Sequence, residues 1–448
     1  MPSQKPKSEI VADSPNAVFL NRRELLATAG AAWLVSGCSR DPEPLSSPTV
    51  PRSDVPIQIT WVGSEQDAES IRRAWAAVDP QPLKIKSLPF SRANEPNWIS
   101  DLVAEAQRSD LVIYPLLATA ELVGAEALVP ISDEQFDEME QELGPFLSAP
   151  RNGAARYADE YVAMPLGARL PALLSILEVP DLVSWADYDS WVATELEGQA
   201  AEPLADGWAA VMFLWRAVSS ISSGWLFTRD DFVPTIQSPP YVEVLTQMAE
   251  TATRYKSGRL TPDQIWESLQ KGEIAGGIGF PTTPMTSETE ITISDLPGGG
   301  ESIRMLLDPF SPVVSVSSHC RQSSASKRLM NWLSGGEGSQ LLRREVRMIT
   351  PTRSAKPSVL ATESQAGNPY EKWLVERLTL PVTVPSLQLH SADAYYRSLD
   401  EAVGRCVDGQ TSAEDALREV AEQWQTLTQR IGKEKQLSAW RRAQGLRA

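Results

Sequence analysis

"SDLVIYPLLATAELVGAEALVPISD", residues Ser109–Asp133, opens on a polar pair, runs through a continuous apolar stretch, and continues at helical composition into a Leu-x-Pro turn. An apolar run this short, left through Pro115, has the length of a strand buried on both faces, which is the mark of a parallel sheet covered by helices. The same rhythm precedes it. "IQITWVG" (Ile57–Gly63) alternates and is β-rich, and "DAESIRRAWAAV" (Asp67–Val78) has helical spacing, with Asp67 placed to cap it. A strand at Leu83–Leu88 leads to the helical "NWISDLVAEAQR" (Asn97–Arg108). Strands separated by helices predict βαβ units and an α/β fold.

The N-terminal part does not belong to that pattern. "NRRELLATAGAAWLVSGC" (Asn21–Cys38) joins paired arginines to a small-residue apolar run and a lone cysteine. The run is well short of the roughly 20 residues that span a bilayer, so it reads as a targeting segment and not as an anchor helix. Arg22-Arg23 resembles the twin-arginine export signal, and Val35-Ser36-Gly37-Cys38 resembles a bacterial lipobox, in which the Cys38 thiol takes the lipid. Residues 1–37 are therefore expected to be a signal peptide. The Pro- and Ser-rich stretch 38–55 is expected to be a flexible tether, because it has too little apolar surface to fold.

Composition narrows the function. The 448 residues carry a formal charge of −17, and −18 once residues 1–37 are removed, which excludes a nucleic-acid partner because phosphate binding needs a basic face. About 410 residues exceed one hydrophobic core, so two domains are expected. Cys320 and Cys406 alone follow Cys38, too few for a disulfide framework, and the sequence leaves their pairing open. His319 and His390 are the only histidines; neither has a Ser, Cys or acidic partner at a recognised spacing, so neither catalysis nor zinc binding is expected. The Gly298-Gly299-Gly300 run lacks the Lys-Ser/Thr of a phosphate loop and reads as a turn. Ser132–Gly144 is acidic without the spacing of a calcium loop and reads as a solvated helix face.

Ser109–Asp133 also looks like a segment of the bacterial extracellular solute-binding proteins, family 1, the maltose and oligosaccharide group, where a strand opening with Asp leads through a helix to a "G-x-L-x-P-L-D" turn. Further segments are similar in the family's order: "ARYADEYVAMPLG" (Ala155–Gly167), "SWADYDSW" (Ser184–Trp191), "PTIQSPPYVEVLTQMAE" (Pro234–Glu250), "IWESLQKGEIAGGIGFP" (Ile265–Pro281), "DLPGGGES" (Asp295–Ser302), the strand and helix of Ser311–Leu342, and "TSAEDALREVAEQW" (Thr411–Trp424). The resemblance covers residues 57 to 430. It implies a two-lobe periplasmic-binding-protein fold, type II-like, each lobe a mainly parallel sheet flanked by helices, with the ligand cleft between lobes. The chain would cross near Leu166, return near Phe310 and cross again near Thr350. That makes lobe I residues 56–166 with 310–351, lobe II residues 167–309 with 352–432, and 433–448 a basic C-terminal tail, whose composition suits either fraying or lying on anionic lipid, fraying being the expectation. The implied function is capture of a small polar ligand, a saccharide, by hinge closure and delivery to an ABC importer permease. It requires no cofactor, metal or chemistry, and the protein would act as a monomer on the outer face of a bacterial membrane.

Ligands of open α/β sheets meet the loops at the carboxyl ends of strands. That nominates Trp61, Ser64 and Glu65 after the first strand, Tyr114 after "DLVIY", Arg169 beyond the first crossing, Phe280 and Thr282 after "GGIGF", and Trp225 between small residues in "SSGWLF". Sugar rings offer CH faces to aromatics while their hydroxyls take polar groups, although any one Trp is more often a core residue. The sequence departs from the family where "LPALLSILEVPDL" (Leu170–Leu182) replaces a Tyr-Asn pair, and only Thr119 and Glu121 are polar after "DLVIYPLL". These gaps leave room for an alternative: a two-lobe lipoprotein that serves a protein partner as sensor or scaffold.

Overall fold

The computed structural model describes residues 54–90, 98–221, 224–282, 290–298, 304–354, 369–381 and 384–446, all within the unit Arg52–Ala448. The signal peptide, Arg22, Arg23, Cys38, nearly all of the tether, Gly299 and Gly300 lie outside the described residues.

Among the described residues eleven strands follow in chain order: β1 (Ile57–Val62), β2 (Leu83–Leu88), β3 (Leu111–Pro115), β4 (Arg156–Tyr157), β5 (Glu160–Tyr161), β6 (Met164–Pro165), β7 (Ala172–Ser175), β8 (Ala200–Ala201), β9 (Gly276–Gly279), β10 (Thr292–Ser294) and β11 (Pro312–Val316). The first sheet has the order β2-β1-β3-β11-β6 and the second β10-β7-β9-β8, while β4 and β5 form a hairpin. β1 runs parallel to β2 and β3, as the βαβ reading requires. The sheets are nonetheless mixed, not mainly parallel. β11 is antiparallel to β3 and β6, β7 is antiparallel to β9 and β10, and only β8 with β9 is parallel in the second sheet. The cause is the return of the chain. It comes back to the first sheet beside the end of β3, with Pro312 opposite Pro115, and can only run against it.

All five residues of β3 are buried, which is why its sequence carries no alternation. Helix Glu65–Ala76 buries Ile71 and Trp75 against β1. Its cap is Ser64 and not Asp67: the Ser64 hydroxyl oxygen accepts from the Asp67 amide at 3.0 Å, and the Asp67 carboxylate accepts from that hydroxyl at 2.8 Å, so the helix starts three residues earlier than the spacing predicted. The acidic segment is a helix, Asp133–Leu143, that buries Phe136 and Met139, half-buries Glu140 and Leu143 and exposes the rest.

The chain leaves the first sheet after Pro165 and enters the second at Ala172. Thr350 runs beside this segment: its amide donates to the Leu166 carbonyl at 3.3 Å, and its Oγ1 accepts from the Ala168 amide at 2.8 Å. A Cβ on Gly167 would lie 2.1 Å from the Met348 carbonyl oxygen, so only glycine lets the two segments touch. One apolar core runs from Val62 and Leu117 through Leu173 and Ile278 to helices Ala392–Val407 and Ala413–Ile431, and a smaller one lies on the other face of the first sheet.

The C-terminal segment corrects the expectation of fraying. Lys433–Ala443 is a helix that buries Gln436, Leu437, Ala439 and Trp440. Gln436 accepts from the His390 amide at 3.1 Å and donates to the His390 carbonyl at 2.9 Å, while the Ala158 amide donates to the Arg442 carbonyl at 3.0 Å. The buried stripe has only three apolar residues beside Gln436, and the surrounding charge hides it in the composition. Cys320 and Cys406 are both free thiols.

Candidate ligand-binding site

The crossing segment and the loop after β9 meet at the junction of the two sheets. Arg169 places its guanidinium 4.4 Å from the centroid of the Phe280 ring, and its Nη2 donates to Asp308 Oδ2 at 3.0 Å. Asp308 is fully buried; its other oxygen accepts from the Phe310 amide at 3.0 Å, so one carboxylate ties the crossing to the returning chain. Tyr370 donates to the Leu170 carbonyl at 2.6 Å and holds the crossing from a third side. Burial raises the Tyr370 phenol far above its ordinary range, so it stays a neutral donor.

Aromatic rings complete the junction. Trp208 packs on Phe280 with centroids 5.7 Å apart, and Phe310 lies 5.3 Å from Phe90 and 6.0 Å from Tyr396. Trp208 precedes helix Ala209–Ser220, whose first turn is fixed by Asp400 Oδ2 and Oδ1 accepting from the Gly207 and Ala210 amides at 2.6 and 3.0 Å. Burial raises the Asp400 pKa, against the two amide bonds that favour its charged form.

Three polar atoms at this junction are buried and lack a hydrogen-bond partner among the described residues: Arg169 Nε, Thr282 Oγ1 and Ser311 Oγ. Buried polar groups are paired in the great majority of proteins, and leaving one unpaired costs roughly 1–3 kcal/mol. The junction therefore presents unsatisfied hydrogen-bonding groups beside an aromatic face, a combination that suits a polar molecule with an apolar side.

The structure brings Arg169, Phe280 and the neighbouring Thr282 together and disperses the other sequence-nominated residues. Trp61 is fully buried in the smaller core, and its indole donates to the Ser64 carbonyl at 3.1 Å. Ser64 caps a helix, and Glu65 is exposed, 3.8 Å from Arg72. Tyr114 is buried between strands with its hydroxyl 3.0 Å from Ser315 Oγ, and burial pushes its pKa up to about 12. The Trp225 indole donates to the Pro385 carbonyl at 2.9 Å. Trp208, Asp308, Phe310 and Tyr396 are the site residues that strand-end reasoning did not nominate; no short-range pattern marks them, because their partners lie far away in the chain.

Glu121 and His390 also find each other. His390 Nδ1 lies 3.1 Å from Glu121 Oε2, which accepts from the Ser391 amide at 3.1 Å. The bond to His390 holds the Glu121 carboxyl below the ordinary glutamate value, against the effect of burial. A separation of 269 residues kept this pair out of any spacing argument.

No family model matches the chain, and no curated protein matches it in sequence. Solved structures do match it. The maltose-maltodextrin binding protein of the thermoacidophilic bacterium Alicyclobacillus acidocaldarius is similar with a TM-score of 0.59 at 14% identity, over 83% of this chain and 100% of that one. A cyclo/maltodextrin-binding protein complexed with maltotetraose gives 0.59 at 15% identity, over 84% of this chain and 98% of that one. The chain has the two-lobe periplasmic-binding-protein fold. At this identity the likeness carries the fold and leaves the ligand to be argued from the site.

Proposed function

We propose that this protein is a solute-binding protein that closes its two lobes on a saccharide and delivers it to an ABC importer, tethered to the outer face of a bacterial membrane by a lipid on Cys38. The observation that carries the reading is the pair of buried, unpartnered groups, Arg169 Nε and Thr282 Oγ1, beside Phe280, with Trp208 packed on the same ring. Sugar hydroxyls would satisfy those groups while a ring face stacks on the aromatics. The fold shared with maltodextrin-binding proteins supports the same class of ligand. The lobe limits are proposed to be 56–166 with 310–351 and 167–309 with 352–432.

Titration calorimetry with maltose, maltotriose and a carboxylated sugar tests the reading. Phe280→Ala and Trp208→Ala, each verified as folded, are expected to weaken neutral-sugar binding by at least about 1 kcal/mol, the scale of an aromatic contact. Arg169→Ala is expected to weaken a neutral sugar less than an acid. Unchanged binding in both aromatic variants, with binding abolished by Arg169→Ala, would replace the saccharide with an acidic ligand. The ring contacts of Phe310 with Phe90 and Tyr396 favour one other reading, a lipoprotein whose junction stays shut and which serves a protein partner as sensor or scaffold. In that case no sugar binds.

A further inference from the structure

Beside the second sheet, and lined by neither Arg169 nor Phe280, lies a cavity of about 510 Å³ walled by Leu173, Trp215, Val218 and Trp373, with Arg304 and Arg377 among its polar lining. That volume is within the roughly 300–1,000 Å³ of small-molecule sites. Its side-chain donors are mostly committed already. The Trp215 indole donates to the Leu306 carbonyl at 3.1 Å, the Trp373 indole to Asp295 Oδ1 at 2.9 Å, and Ser219 to the Arg216 carbonyl at 2.9 Å. Arg377 Nε lies 2.8 Å from Asp295 Oδ1, an ion pair that neutralises its charge although that Nε makes no hydrogen bond among the described residues.

Arg304 is different. Its Nη1 is buried without a hydrogen-bond partner, and no ion pair reaches it among the described residues; the Trp225 ring lies 5.9 Å from its guanidinium, and the Tyr241 phenol is near enough to act on it. Burial pushes its pKa down, as expected for a desolvated cation with no carboxylate beside it. Asp181, the remaining acid of the lining, is exposed to solvent.

We propose that this cavity is a second binding site, for a small carboxylate with an apolar body, such as an aryl-substituted short-chain acid. The carboxylate pairs with Arg304, whose planar guanidinium accepts that geometry, and the body packs against Trp215, Trp373, Leu173 and Val218. A sugar fits poorly here, because the committed donors would leave its hydroxyls desolvated and unpaired. The site does not depend on the saccharide reading of the junction.

The test is titration of the full chain with 4-phenylbutyrate and with its neutral amide, followed by tryptophan fluorescence and calorimetry. A charge-assisted bond predicts that the acid binds at least about tenfold tighter than the amide. Arg304→Gln is expected to reduce the acid to the affinity of the amide, and Arg304→Lys to keep part of the preference. Val179→Trp, a bulky residue on the cavity wall, is expected to remove binding of both, and maltotriose is expected not to compete. Equal affinity of acid and amide, failure of both to bind, a preference that survives Arg304→Gln, or competition by maltotriose would each overturn the proposal.

Discussion

Arg216 and Glu202 are both almost wholly buried, and the guanidinium meets the carboxylate through two bonds, Nε to Oε2 at 3.0 Å and Nη2 to Oε1. Tyr255 donates to the same carboxylate, and Trp185 covers the guanidinium at 4.2 Å. The pair fixes helix Ala209–Ser220, which carries Trp208 to the junction, so an ion pair remote from the site positions one of its rings. Glu202→Gln leaves Arg216 charged and uncompensated, and urea unfolding is expected to show a loss of about 3–5 kcal/mol; a loss below 1 kcal/mol would mean that water reaches the guanidinium. A second residue-scale prediction concerns acid. The folded-state pKa of Glu121 is depressed, chiefly by its bond to His390, so its contribution to stability is present above the unfolded glutamate value and is lost as pH falls through the folded one. The stability difference between the native chain and Glu121→Gln is expected to be largest near neutrality and to shrink below the ordinary glutamate range; a pH-independent difference would contradict the pairing. At this scale strand ends and the crossing nominate Arg169, Phe280 and Thr282, and the structure places them at one junction; ligand contact is what the proposal adds. Trp61 and Tyr114 were misplaced by the same reasoning: a residue near a strand end can face either side, and these two turn into packed layers.

The positions of β1, β2 and β3 were readable closely, β2 from its alternation and β3, buried on both faces, from its unbroken apolar run, whereas the helix between β1 and β2 starts three residues before its spacing predicted. The antiparallel entry of β11 was not readable, because it depends on where the chain returns and not on the composition of the strand. Helix Lys433–Ala443 was missed because only four of its residues are buried. Trp440, 2% exposed, is expected to cost about 3–5 kcal/mol when replaced by Ala, read as a fall in denaturation midpoint. An effect within 0.5 kcal/mol would restore the frayed tail. At the crossing, Gly167→Ala forces a methyl into the Met348 carbonyl and is expected to destabilise by about 1–3 kcal/mol. An unchanged melting temperature would show that the two segments can part without cost.

For the whole molecule, the two-lobe fold is shown, and the saccharide, the importer and the anchor are what the proposal adds. Cys38→Ala is expected to release the protein from membranes; a mature form still retained there would remove the lipid tether from the proposal. Capture itself requires that one ligand hold both lobes, because Arg169 comes from the crossing, Phe280 and Thr282 from the second sheet, and Ser311 from the chain returning to the first. A ligand of that kind raises apparent stability by about 2.7 kcal/mol at a hundredfold excess over its dissociation constant. It also draws the lobes together. Small-angle X-ray scattering of the chain without its signal peptide, titrated with maltodextrins to saturation, tests this most directly. The radius of gyration is predicted to fall as the sites fill, in step with the calorimetric isotherm, and in Phe280→Ala to fall only at sugar concentrations at least about fivefold higher; saturable sugar binding at constant radius of gyration would contradict capture between the lobes.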